Sequence, residues 1–283
     1  MFKIPDPELQ IDFSGALAKL RGECLQESLT ATIQNMDITQ VDEALALYVP
    51  KSSLSTLAAN GLRGELMFAV PLLLKENPRL LGYYRLLYGY SQKEFYTTET
   101  GISGFHSMEK KGTLSPENDK NLSELCTALS KAGKLLLDGI GPTRISQSLL
   151  DDLTLLTLGP QLRGGANVKK GTAGIVKVFD SIHEIVKPSA TTVSPNRIQV
   201  QNAAGRRVLI EFAADPDIII REEMSPERFR ELIAVEVKGG SDFSNIHNRI
   251  GEAEKSHQKA KSHGYSEWAP RRTGFGGCLK PVE

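Results

Sequence analysis

The sequence predicts an α/β (α+β) chain, in which a helical N-terminal half precedes a core of mixed strands and helices. Three observations carry this. Apolar residues recur at helical spacing up to about residue 160, a basic glycine-rich segment interrupts them at 162–172, and β-rich alternating runs follow. The expected boundaries are 1–160 for the helical region and 161–283 for the core, which ends in an irregular C-terminal tail.

Residues 36–47 place apolar side chains at helical intervals, and residues 118–137 repeat this with Leu122, Leu125, Leu129 and Leu136 on one stripe. Ser115-Pro116-Glu117 marks the start of the second helix, a capping serine with proline at the first helical position. Residues 149–158 form a third apolar stretch, read as a helix packed inside the bundle. Residues 80–96 gather most of the tyrosines around Arg85 and Lys93. Aromatics interleaved with cations can stack on bases or brace a phosphate groove, and tyrosine-rich helix packing accounts for the same residues.

Beyond the glycine-rich seam, residues 174–186 read as an amphipathic helix ending near Pro188. Residues 197–201 and 206–212 flank Asn202-Ala203-Ala204-Gly205, a hairpin by pattern. Residues 216–220 form a short strand, Ser225-Pro226-Glu227 is expected to cap a short helix through Leu232, and 233–238 form a further strand. Residues 245–263 close as a helix with Ile246, Ile250, Ala253 and Ala260 on one face and Gly264 as its stop. The result is a mainly antiparallel meander within an α/β core.

Composition narrows the function classes. With 283 residues, 40% of them hydrophobic, and 34 basic against 34 acidic side chains, the chain can bury a substantial core and is not a disordered polyelectrolyte. Zero net charge argues against coating nucleic acid by bulk charge and leaves a local basic groove open. The apolar run at 66–74 is short and broken by Pro71, and the first seven residues hold no apolar signal core. A cytoplasmic protein with no membrane contact is expected. Cys24, Cys126 and Cys278 are too scattered for a disulfide framework or a zinc site.

The chemistry lies on the two strands at 216–220 and 235–238. Residues two apart on a strand share a face, so Glu236 and Lys238 project together, and pairing of the two strands brings Asp217 beside Glu236. Two carboxylates suit a hard divalent cation, typically Mg²⁺, which polarises a phosphate and acidifies a bound water. A lysine beside them can orient that water or stabilise charge on the pentavalent phosphate. A bare Glu-x-Lys is expected by chance about once in a chain of this size. The upstream Pro216-Asp217 and the preceding hairpin make the pattern informative, against an ordinary salt-bridged pair of strand ends.

Asp217, Glu236 and Lys238, with Pro216 before the aspartate, resemble the PD-(D/E)XK nuclease signature in full. Residues 236–257 resemble type II restriction endonucleases of the XcyI kind, and Tyr90-Ser91-Gln92-Lys93-Glu94-Phe95-Tyr96 resembles their N-terminal half. The resemblance spans about residues 60 to 265. It implies a restriction-endonuclease-like mixed sheet and a Mg²⁺-dependent homodimer. That enzyme cuts double-stranded DNA at a short, palindromic, GC-rich site and leaves 5′-phosphate ends. Asp217 and Glu236 then hold the metal, and Lys238 acts on the attacking water or the phosphate.

Further residues have supporting roles in this scheme. Glu252, or Asp180 and Glu184 on the preceding helix, are candidates for an auxiliary acid, although Glu252 equally reads as a solvated charge pairing with Lys255 or Arg249. Residues 185–210 contain Lys187, Arg197, Arg206 and Arg207 and no acid, and with Lys169 and Lys170 they can supply phosphate contacts. Asn245, Asn248 and Arg249 suit adenine or guanine edges in the major groove, or else belong to a capped helix start. After Gly264 the sequence is rich in glycine and proline with no period-2 apolar run, so no closing strand is expected there. That tail reads as a truncation leaving the sheet short of a strand. Two rivals therefore stand beside a restriction enzyme: a DNA-binding protein without cleavage activity, and a repair or recombination nuclease on the same fold.

Overall fold

The computed structural model describes residues 4, 6–239, 246–262, 264–265 and 267–273. The chain divides into two compact units, Met1–Gly164 and Gly165–Glu283.

The first unit is helical, with α1 Glu8–Cys24, α2 Gln26–Gln34, α3 Ile38–Tyr48, α4 Lys51–Ala59, α5 Pro71–Glu76, α6 Leu80–Leu87, α7 Gln92–Phe95, α8 His106–Lys111, α9 Pro116–Ile140 and the start of α10 Gln147–Val186. Helix α9 begins where its sequence signal lies: Ser115 Oγ accepts from the Asn118 N–H at 3.2 Å and Pro116 opens the first turn. Its buried stripe comprises Leu122, Leu125, Leu129 and Leu137, one position beyond the half-buried Leu136.

The tyrosine-rich segment is packing, not a stacking surface. The hydroxyls of Tyr84, Tyr83 and Tyr88 donate to three consecutive carbonyls, Glu65, Leu66 and Met67, at 2.8, 2.6 and 2.8 Å. These bonds satisfy phenols whose bodies lie in the core, and burial drives all three hydroxyls well above the usual phenol range. Arg85 is only 1% exposed. Its Nε and Nη2 fork onto Glu109 at 2.8 Å each, and Nη1 donates to the Tyr90 carbonyl. Glu109 also accepts from Gln92 and Tyr96 at 2.8 and 2.7 Å, so the buried pair is fully satisfied from both sides.

Helix α10 corrects the expected flexible seam: residues 162–172 are helical, within one run from Gln147 to Val186. Glycine costs a helix about 1 kcal/mol per residue, but extending an existing helix needs no new nucleus. Buried side chains also anchor the run near both ends, Leu150 and Leu158 on one side and Val178 and Phe179 on the other. A Cβ at Gly164, Gly165 or Gly171 would meet nothing within 4 Å. Alanine at any of these positions is therefore expected to raise stability by about 0.4–1 kcal/mol, measured as a higher urea midpoint.

The second unit is a sheet of β1 Ala190–Ser194, β2 Arg197–Gln201, β3 Arg207–Phe212, β4 Ile218–Ser225, β5 Arg228–Gly239 and β6 Glu267–Thr273, with α11 Ile246–Ser262 before the last strand. Its spatial order is the chain order, antiparallel from β1 to β5, with β6 parallel to β5. One face carries Ile198, Val200, Val208, Ile210, Ile218, Val235 and Val237, which pack against Val178 and Phe179 of α10.

Three sequence expectations change here. Strand β1, with its three consecutive exposed residues Thr191, Thr192 and Val193, had no apolar alternation to reveal it. The short helix expected from Ser225 to Leu232 is instead a two-residue turn, Pro226-Glu227, followed by the first half of β5; Ser225 pairs with Arg228, and Glu227 takes φ 63°. The irregular tail contains β6, which adds to the free side of β5 from Ile233↔Glu267 to Gly239↔Thr273. Pro270 lies opposite Glu236 in that ladder. An edge strand tolerates proline because one side of its backbone has no ladder to complete.

Candidate active site

The register Ile218↔Val235 places Asp217, one residue before β4, across from Glu236. Val235 and Val237 face the α10 side, so Glu236 and Lys238 point to the opposite face. The Val237 N–H donates to Asp217 Oδ2 at 2.7 Å, which ties the aspartate to β5 directly. Lys238 Nζ lies 2.7 Å from Glu236 Oε1 and 4.0 Å from Glu252 Oε2 on α11. Glu236 is buried, Asp217 and Lys238 are half-buried, and Glu252 is exposed.

The electrostatics follow from this crowding. Burial lifts the Asp217 carboxyl above the usual carboxylate range, and the nearby Glu236 charge lifts it further, against the Val237 N–H and Lys238. Burial disfavours the Lys238 ammonium, but the Glu236 carboxylate outweighs that and holds its pKa above the ordinary lysine value. An acid pair with mutual repulsion and oxygen-only donors fits a hard divalent cation, which takes one or two carboxylates and completes its shell with water. Among the described residues no group of three or more His, Cys, Asp or Glu side chains stands at metal-ligand spacing.

The other candidates are placed differently. Asp180 and Glu184 are exposed on α10, which packs against the opposite face of the sheet, and Glu184 bonds Lys187 at 3.4 Å. Lys169 and Lys170 are exposed on α10. Asn248 and Arg249 fall in the first turn of α11, and Asn245 lies outside the described residues. Arg206 and Arg207 are engaged by Glu222 and Glu223. Sequence reasoning passed over Glu211, which is buried within β3; the signal was its alternation with Val208 and Ile210, which puts it on the other face of the strand.

The family described as XcyI restriction endonuclease matches residues 14–270. Among curated proteins, the chain is 58% identical over 265 residues to the type II restriction enzyme Cfr9I of Citrobacter freundii. It is 56% identical over the same length to the type II restriction enzyme XcyI of Xanthomonas campestris pv. cyanopsidis. Each match covers 93% of this chain and 80% of the relative. No solved structure matches. No described helix is long and apolar enough to cross a membrane. With a nuclease-type acid pair and lysine on one sheet face and a family match over most of its length, the chain belongs to the XcyI restriction endonuclease family and is a type II restriction endonuclease.

Proposed function

We propose that this enzyme hydrolyses double-stranded DNA at a short palindromic, GC-rich site in a Mg²⁺-dependent reaction, acting as a homodimer. The convergence of Asp217, Glu236 and Lys238 on one face of the β4–β5 pair supports this. Asp217 and Glu236 would hold the cation, and its charge would offset the burial and the Glu236 repulsion that lift the Asp217 carboxyl. When bound, the cation neutralises charge on the scissile phosphate and acidifies water. The Lys238 ammonium donates to the attacking water and then to the phosphoryl oxygens as negative charge builds there. The new bond joins the water oxygen to phosphorus and the P–O3′ bond breaks. The attacking water gives up a proton to solvent and the departing 3′-oxygen takes one up, which leaves a 3′-hydroxyl and a 5′-phosphate. Glu252, 4.0 Å from the ammonium, steadies it from α11 and stands as the auxiliary acid. Lys169, Lys170, Asn245, Asn248 and Arg249 contribute DNA contacts.

Digestion of plasmid DNA by the purified protein with and without Mg²⁺, followed by end sequencing, tests the proposal. Discrete fragments sharing one terminal sequence are expected, while structure-dependent nicking would select a repair-type activity. Lys238→Ala should cut at least about 10²-fold more slowly, the usual cost of removing one preorganised donor from a charge-developing site. Single-turnover cleavage measures this, and wild-type rates would remove Lys238 from the mechanism.

A further inference from the structure

The sheet face that carries Asp217 holds a second charged group. Cross-strand partners share a face, so the paired row Arg197, Glu211, Ile219 and Ala234 lies on the same side as Asp217, Glu236 and Lys238. Glu211 stands opposite Ile219, two residues along from Asp217. Its carboxylate is buried and taken up on both oxygens. Arg221 donates to Oε2 through Nε at 2.9 Å and Nη2 at 2.7 Å, and Arg197 donates to Oε1 through Nε. The Arg221 guanidinium is also stacked 4.4 Å over the Phe229 ring. The Glu211 carboxylate thus sits between two guanidinium groups, and Glu231 on β5 is the cross-strand partner of Arg221.

The guanidinium with open donors is that of Arg197. Arg221 is immobilised by two bonds and a ring, and its side chain is only 27% exposed. Arg197 spends only Nε on Glu211, its side chain is 56% exposed, and its Nη nitrogens bond no described residue. A guanidinium fixed at its inner edge and open at its outer fork is preorganised for bidentate contact with an anionic oxygen pair. Arg221 already forks onto Glu211, so Arg197 presents its outer donors on the face to which the nuclease reading brings a polyanion.

We infer that Arg197, braced by Glu211 and Arg221, contacts a backbone phosphate of the DNA beside the cleavage site. The inference rests on the nuclease reading above, because that reading brings DNA to this face. The geometry favours phosphate over a base edge. Arg197 stands two strands from β4, about 10 Å away at sheet spacing, on the same sheet face as the residues proposed to act on the scissile phosphate. Its role is positioning: it fixes the duplex and touches no reacting atom.

The test is equilibrium binding of fluorescent duplexes, with and without the recognition site, by Arg197→Gln and Arg197→Lys from 50 to 200 mM salt, in Ca²⁺ to hold off cleavage. Losing one phosphate contact lowers the slope of log K against log salt by about 0.9 per bound subunit. Arg197→Gln should show that drop and bind both duplexes about tenfold more weakly, while Arg197→Lys, which keeps a point charge there, should restore the slope. An unchanged slope in Arg197→Gln overturns the inference, as does a loss confined to the cognate duplex, which would mark a base contact. Arg197→Met, a neutral residue of similar length, is read by the same slope and keeps the test decisive if the glutamine variant fails to fold. Absent or salt-independent binding by the wild-type enzyme would instead overturn the nuclease reading itself.

Discussion

Asp217→Ala and Glu236→Ala should each abolish Mg²⁺-dependent cleavage while leaving DNA binding intact or tighter. Each removes one of the two carboxylates proposed to hold the cation, whose stabilisation of the transition state is worth several kcal/mol. About four kcal/mol corresponds to roughly 10³-fold in rate, so a single-turnover assay should show at least that loss. Binding behaves oppositely, because a negative charge leaves a face that receives phosphate. The two variants should also differ in stability. Glu236 is the closest anionic partner of Lys238, whereas Asp217 receives only the Val237 N–H, so Glu236→Ala leaves a half-buried ammonium short of a partner. Substantial metal-dependent cleavage by either variant would remove that residue from the site.

The second large effect is in the helical unit. Arg85→Ala leaves the Glu109 carboxylate buried without its guanidinium, and breaking one side of a buried pair costs about 3–5 kcal/mol. At roughly 2–4 °C per kcal/mol for a domain of this size, melting should fall by about 6–20 °C. The double variant Arg85→Leu with Glu109→Leu should recover much of that loss, because no unpaired charge stays behind. The pair also sets an acid limit. Burial pushes the Glu109 carboxyl up, but Arg85, Gln92 and Tyr96 outweigh it and hold its pKa below the usual carboxylate value. Its contribution to stability is therefore complete above the unfolded-state pKa and disappears as pH falls through the lower folded one. Denaturant titrations at neutral and acidic pH should show a loss in the wild type that is smaller in the double variant.

The tripeptide Ser-Pro-Glu marks the limit of local sequence signals. At 115–117 it caps α9, and at 225–227 it forms the turn between β4 and β5. The tripeptide is the same in both places, and the residues after it decide the outcome. After 117 the leucines recur every three or four residues and can bury one helical face. After 227, Phe229 and Arg230 pair with Glu223 and Glu222, and the strand partner overrides the local preference for a helix. The β2–β3 hairpin was legible because its alternation and its short loop from Asn202 to Gly205 agree. Strand β6 was not legible, since an edge strand gains its place from the backbone of β5 and its sequence need not alternate. The meeting of Asp217, Glu236 and Lys238 was legible because strand periodicity and pairing suffice to place them together. Arg197 was singled out as a phosphate contact, but its meeting with Glu211 and Arg221 was missed, because it depends on the register of three strands, β2, β3 and β4, that no short window contains.

The sheet's order equals its chain order, and this shapes how the enzyme is made on the ribosome. Each strand from β2 to β5 pairs with the one synthesised just before it, so the closing loops are short and their entropy cost is small. Asp217 and Glu236 are only a hairpin apart, and their side of the sheet can form while α11 and β6 are still within the exit tunnel. The two acids can therefore meet before α11 and β6 emerge. The helix that brings Glu252 near Lys238 is made after both strands, so the lysine gains that neighbour later than it gains Glu236.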